Sequence, residues 1–256
     1  QPLNIAPVRD TILCDGQNLK LPLKLSGGLP KSYAVSWNTP TVNGASPTIT
    51  PPTGNNNYLA ILTDGCTSKS DSVGFNITML SPLKAQIQAA PTSICFGDSA
   101  LLTFSFSGGK SSNYNWLLDG AGVKFMSKKV MPSSTTSYVL TLNDGCSTPA
   151  TSNTSVTINQ AASAVLMVDR KQICENESVN YSYTSPDAAK LVWYFSTGDS
   201  AQSTGSAINR SMGLSGKYTA KAKVTTSNGC VGWFNASDTV EVFPYPKAGF
   251  TADPLL

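Results

Sequence analysis

Four kinds of marker residue recur along this chain with one period of about 80 residues. A period of that length limits the architecture more than any single motif does. The first cysteine of each period is Cys14, Cys95 or Cys174. The second is Cys66, Cys146 or Cys230. Between them stand Trp37, Trp116 and Trp193, then Tyr58, Tyr138 and Tyr218. Local sequence repeats as well. Thr63-Asp64-Gly65-Cys66, Asn143-Asp144-Gly145-Cys146 and Ser227-Asn228-Gly229-Cys230 occupy equivalent places. The period divides the chain into units 1–80, 81–160 and 161–245, and residues 246–256 read as the start of a fourth. The natural protein is therefore expected to continue beyond Leu256.

Within each unit apolar and polar residues alternate at period two, as in Tyr138-Leu140-Leu142 and Val156-Ile158. Such runs, bounded by Gly, Pro, Asn and Ser clusters, predict short antiparallel strands with one wet face and one buried face. No helical period competes with them. About 80 residues and seven strands fit an immunoglobulin-like sandwich. The expected fold is all-β: three tandem immunoglobulin-like or PKD-like β-sandwich domains in an elongated array. A tryptophan on the third strand and a tyrosine opening the penultimate strand are core positions in such a sandwich. Trp37, Trp116, Trp193, Tyr58, Tyr138 and Tyr218 are therefore assigned to the core.

The cysteines depart from the ordinary inter-sheet disulfide. The first precedes its strand and the second follows its strand. Parallel strands of six to eight residues would hold them roughly 20 Å apart, whereas a disulfide needs Cα atoms within about 7 Å. Bonds between successive units, Cys14–Cys146 and Cys95–Cys230, follow. Cys66 and Cys174 would then pair with domains outside this sequence. The alternative is pairing within each unit: Cys14–Cys66, Cys95–Cys146 and Cys174–Cys230. Either scheme implies an oxidising compartment.

The chain has no histidine. That excludes Ser-His-Asp and Cys-His relays and His-ligated metals from these residues. Charged residues are 13%, about half the usual share of ~25%. The net charge of +3 is not clustered, so no nucleic-acid patch is read. The longest apolar run, Ala164 to Val168, is far short of the ~20 residues of a membrane span. Asp64, Asp144 and Asp169 show no evident partners and read as turn residues. No catalytic residue, cofactor or metal site is expected. Trp233 and Phe234 lie off the repeat register and form a candidate ligand contact, with Tyr194-Phe195 as a second aromatic pair. Packing against a neighbouring domain is the alternative for Trp233.

The second unit carries Ile94-Cys95-Phe96-Gly97-Asp98-Ser99, Tyr114-Asn115-Trp116, Pro132 to Tyr138 with Thr135-Thr136, and Asp144-Gly145-Cys146. This series resembles the tandem immunoglobulin-like and PKD-like repeats of Bacteroidota surface proteins. The third unit, with Ser196-Thr197-Gly198-Asp199, is similar to the PKD-like variant. The first lacks the Thr-Thr element, having Asn55-Asn56-Asn57-Tyr58. The resemblance implies a secreted or cell-surface protein of the gliding-motility adhesin type, exported by the type IX secretion system. It also implies O-glycosylation in Asp-Ser/Thr-apolar triplets, at Thr11, Ser72, Ser99, Ser200 and Thr239, although Asp-Ser/Thr is ordinary turn chemistry too. The expected function is a non-catalytic stalk or adhesive segment. The alternatives are a carbohydrate- or protein-binding module, or an accessory region of a secreted hydrolase. Expected partners are neighbouring domains of the same longer chain, surface glycans, or proteins of the secretion and motility machinery.

Overall fold

A computed structural model of the chain describes residues 1–66 and 68–249. Most of the proposed fourth-unit opening, from Phe250 onward, lies outside the described residues. The described chain separates into two compact units. One comprises residues 1–92, 100–130 and 136–156. The other comprises 93–99, 131–135 and the chain from 157 onward. The regular structure is strand throughout, apart from two single-turn 3-10 helices at Pro30–Ser32 and Ser111–Asn113.

The first two repeats each build one sheet on the same plan, and the third divides it into two, with Ser200–Gln202, Ala188–Phe195, Ala220–Thr226 and Val231–Asn235 in one and Gln172–Cys174, Val240–Phe243 and Gly216–Tyr218 in the other. In the first, strand Ala34–Trp37 pairs antiparallel with Gly54–Thr63, which pairs antiparallel with Asp71–Met79. The short strand Thr11–Leu13 then adds in parallel to Asp71–Met79. In the second, Ser93–Cys95 runs parallel to Ala150–Asn159, next to Thr136–Asn143 and Asn115–Leu118. In the third, Gln172–Cys174 runs parallel to Val240–Phe243. Opposing sheets complete immunoglobulin-like sandwiches. They are Lys84–Ala90, Ala100–Ser107 and Ser127–Val130 in the second repeat, and Val165–Val168, Ser178–Thr184 and Ala207–Ser211 in the third. In the first repeat the opposing layer is broken into two short pairs, Leu19–Lys20 with Thr48–Ile49 and Leu25–Ser26 with Asn4–Ile5. Pro22 lies between them, and a residue without an N–H interrupts a ladder.

The alternating pattern explains the cores. Tyr58, Ala60 and Leu62 point inward from one strand, as do Tyr138, Leu140 and Leu142 from its counterpart. The third repeat buries Tyr181, Leu191, Trp193, Ala222 and Val224. Tyr58 lies mid-strand, whereas Tyr218 sits on a separate short strand, Gly216–Tyr218, and is only half-buried. Its hydroxyl donates to the Leu214 carbonyl at 2.9 Å.

The tryptophans do not occupy one register position. Trp37 is paired with Ala60, and the equivalent pair in the second repeat, counted from the Asp-Gly-Cys turn, is Leu118 with Leu140; Trp193 is paired with Ala222, one pleat further from its turn. Trp116 stands two residues earlier, opposite Leu142. A step of two keeps a side chain on the same face, so Trp116 still points inward. Trp193 is fully buried; Trp37 and Trp116 are half-buried. At this one pair volume is kept, since Trp37 faces an alanine where Leu118 faces a leucine. Enlarging Ala222 alone overpacks the site. Ala222→Leu is expected to cost about 1–3 kcal/mol in urea unfolding. Adding Trp193→Leu, which sets leucine opposite leucine at this pair, is expected to recover part of that loss as a favourable coupling in a double-mutant cycle.

Candidate functional site

The parallel pairing of the short strand decides where each cysteine goes. Cys95 and Cys174 are the last residues of their short strands, and Cys14 directly follows Leu13. Running parallel to the last strand of the repeat, the short strand carries its cysteine toward the end where that last strand finishes. The second cysteine lies in the turn where the last strand begins. In the first repeat nine strand residues, Asp71–Met79, intervene. At ~3.3 Å per residue that is about 30 Å. A bond within the repeat is excluded by length.

Cys14 is bonded to Cys146, with Cα atoms 5.5 Å apart, and Cys95 to Cys230, at 5.7 Å. Each bond joins one repeat to the next, and each lies inside one of the two compact units. Cys14 and Cys230 are buried; Cys66 and Cys174 are free and exposed. Two structural disulfides belong to an oxidising compartment.

The aspartates of the Asp-Gly-Cys turns do have partners, which corrects their reading as isolated turn residues. Asp144, only 1% exposed, accepts N–H bonds from Lys110 at 2.7 Å, Cys146 at 2.9 Å and Ser147 at 2.7 Å. The Ser147 hydroxyl adds a fourth at 3.0 Å. Burial pushes this carboxyl up, but the Lys110, Ser147 and Cys146 N–H groups and the Ser147 hydroxyl outweigh it and hold the pKa at about 2. Asp64 likewise accepts from Leu29 at 2.8 Å and Cys66 at 3.2 Å. Asp169 accepts from the Asn180 backbone at 2.9 Å and side chain at 3.0 Å, which lowers its carboxyl.

A glycine pair makes room for each of the first two carboxylates. A Cβ on Gly28 would overlap the Asp64 carboxylate, and one on Gly109 the Asp144 carboxylate; both glycines have positive φ, +53° and +56°. Their neighbours Gly27 and Gly108 accept hydrogen bonds from the Tyr33 and Tyr114 hydroxyls. The third repeat lacks the whole arrangement. It has Ser185-Pro186-Asp187 in place of the glycines and Asn228 in place of the aspartate, and its Cys230 N–H goes to Thr226 Oγ1 at 3.0 Å. Sequence reasoning missed the Gly-Gly and Tyr33/Tyr114 elements, although both obey the same period.

The aromatic candidates are rearranged. Successive strand residues face opposite sides, so neither Trp233-Phe234 nor Tyr194-Phe195 forms an exposed pair. Phe234 packs against the core of the third repeat and Phe195 is buried within it. Phe195 there lies under the Arg210 guanidinium, 4.3 Å from its centroid, and Arg210 is paired with Asp199. The outward members meet instead. Trp233, 54% exposed, lies 5.1 Å from Tyr194 between ring centroids. Lys221 Nζ sits 5.1 Å from the centroid of the Trp233 ring. Of the candidate O-glycosylation positions, Ser72, Ser200 and Thr239 are exposed, while Thr11 and Ser99 are half-buried. Asp199 and Asp238, which precede Ser200 and Thr239, are held by Arg210 and Lys171. Among the described residues no group of three or more Cys, Asp or Glu is placed to hold a metal ion, and no helix is long and apolar enough to cross a membrane.

These sheets and the inter-repeat bonds define a tandem immunoglobulin-like β-sandwich protein. No protein-family model matches the chain, and no curated protein matches it. Similar solved structures include one concerning host cell-surface retention of a bacterial ice-binding adhesin, at 11% identity, 94% coverage of this chain, 98% of that chain and TM-score 0.45. Another is a structure of three immunoglobulin domains of titin, at 10% identity, 96% and 99% coverage and TM-score 0.42. The N-terminal immunoglobulin domains of the Down syndrome cell adhesion molecule match at 14% identity, 93% coverage and TM-score 0.35, and the present chain spans 40% of that chain. With these TM-scores below 0.5, the fold rests on the sheet topology itself.

The Asp144 carboxylate generates a pH prediction. Its folded pKa lies below the ordinary 3.8, so its stabilisation is fully present above about pH 4 and is lost as pH falls toward 2. Asp144→Asn is therefore expected to be less stable than the parent at pH 7. The gap should close progressively between about pH 4 and pH 2 in denaturant unfolding.

Proposed function

We propose that this chain is a non-catalytic, load-bearing segment of a long secreted or cell-surface protein. The observation that carries this reading is the stagger of the two disulfides. Their spans, 14–146 and 95–230, overlap. A spacer of separate sandwiches can come apart at each junction, whereas overlapping covalent loops resist separation of successive repeats. The staggered rule also assigns the two exposed thiols. Cys66 is the partner for the first cysteine of a repeat before this one, and Cys174 for the second cysteine of a repeat after it. Neighbouring repeats of the same longer chain are thus the primary partners. The Cys-x-Gly-x-Ser, Thr-Thr-x-Tyr and Asp-Gly-Cys series supports the finer reading, an adhesin stalk of the Bacteroidota gliding-motility type that leaves by type IX secretion.

Single-molecule stretching of Cys66→Ser/Cys174→Ser between its ends tests the mechanical reading. With both inter-repeat bonds closed, the taut path runs from residue 1 to Cys14, back from Cys146 to Cys95, and on from Cys230. That is about 90 residues, or about 330 Å at full extension, against about 900 Å for the reduced chain. Extension of the oxidised variant is expected to arrest near the shorter value, and added reductant to release the remainder. Within-repeat pairing leaves only Cys95–Cys146 in this variant, so arrest near 200 residues, about 700 Å, would overturn the proposal.

A further inference from the structure

The four-stranded sheet of the third repeat presents an outward face unlike its counterparts. The strands are Ser200–Gln202, Ala188–Phe195, Ala220–Thr226 and Val231–Asn235, in that order. Register places Ser200, Tyr194, Lys221 and Asn235 in one outward row. Gln202, Val192, Lys223 and Trp233 form the next, and Lys190, Thr225 and Val231 a third. The two central strands of the corresponding sheets in the other repeats turn out neither lysine nor aromatic ring. In the first repeat the two central strands turn out Asn57, Leu59, Ile61, Ser72, Gly74 and Asn76. In the second they turn out Ser137, Val139, Thr141, Thr151, Asn153 and Ser155. The scaffold therefore does not require these groups.

Three ammonium groups share this outward face with no carboxylate in its rows. None of Lys190, Lys221 and Lys223 makes an ion pair among the described residues. Lys221 and Lys223 are two apart on one strand and Lys190 is diagonal to Lys223, so three positive charges gather on one face that suits an anionic ligand. Tyr194 and Trp233 arch over the intervening strand, and Trp233 is more than half exposed, with the Lys221 ammonium over its ring. Beside this arch lies a cleft of about 550 Å³, walled by Tyr194, Ser196, Lys221, Asn235 and Ser237. Asp238 is the one carboxylate in its lining, and it is already paired with Lys171 at 2.7 Å.

We infer that this face binds an acidic polysaccharide built from uronic acids. The apolar face of a pyranose ring stacks on Trp233. Lys221 is held close to the same indole, so the anion it meets must sit at the edge of the stacked ring. A uronate places its carboxylate there, directly on a ring carbon. Lys223 and Lys190 meet the carboxylates of adjoining residues, and the hydroxyls and amide of the cleft serve the sugar hydroxyls. The surface is independent of the load-bearing reading above, since it lies on one repeat and uses no cysteine.

Affinity electrophoresis of the whole chain through gels containing polygalacturonate tests the inference, with dextran, dextran sulfate and single-stranded DNA as comparison matrices. Retardation by polygalacturonate and not by dextran is expected, and it should weaken with added salt. Trp233→Ala and the double variant Lys221→Gln/Lys223→Gln are each expected to weaken retention at least tenfold while leaving the thermal unfolding midpoint close to that of the parent. Absence of retardation by polygalacturonate overturns the inference. So does retention that neither variant changes, equal retention by dextran, or tighter binding of dextran sulfate or DNA.

Discussion

The structure turns on one pairing, the parallel addition of a three-residue strand to the last strand of each repeat. An antiparallel neighbour would return the first cysteine to the end where the second one lies, and each domain would close on itself. The parallel neighbour carries it the length of the last strand instead. No rotamer choice spans a separation of about 30 Å, so the thiol meets the hairpin of the next repeat. A local choice of strand direction thereby becomes a covalent link between repeats.

Around that frame, the repeats solve the same packing problem with different residues. Trp37 opposite Ala60 in the first repeat and Leu118 opposite Leu140 in the second fill equivalent space between sheets. Densely packed interiors tolerate such exchanges because total volume is kept. The Asp-Gly-Cys turns are anchored in a comparable way. In the first two repeats a buried carboxylate gathers N–H groups from a Gly-Gly loop 35 or 34 residues earlier and from the cysteine of its own turn. This ties the disulfide-bearing hairpin to the body of the domain. The third repeat loses carboxylate and glycines together, as expected if each is there for the other.

The two proposed roles divide along the same line. The shared positions of the repeats hold shape and join one domain to the next. The residues that break the repeat, Trp233, Tyr194 and the three lysines, gather on one exposed sheet face. A tandem β-sandwich can carry a recognition surface on a single member because each outward face is free of packing constraints.

Period-two alternation, the 80-residue repeat and the offset of the cysteines from their strands were legible in the residues alone. They determined an all-β tandem sandwich and made within-repeat bonding sterically strained, since burial of one strand face and the reach of a disulfide are local constraints. What only the tertiary structure decided depends on contacts distant in sequence. The loop partners of Asp64 and Asp144, Leu29 and Lys110, lie 35 and 34 residues away, so no local motif announces them. The shift of Trp116 by one pleat is visible only in the register of the opposing strand. The exposed aromatic pair was sought between sequence neighbours, but alternation sends neighbours to opposite faces. Tyr194 and Trp233, on strands separated by a third, meet only after the sheet has formed.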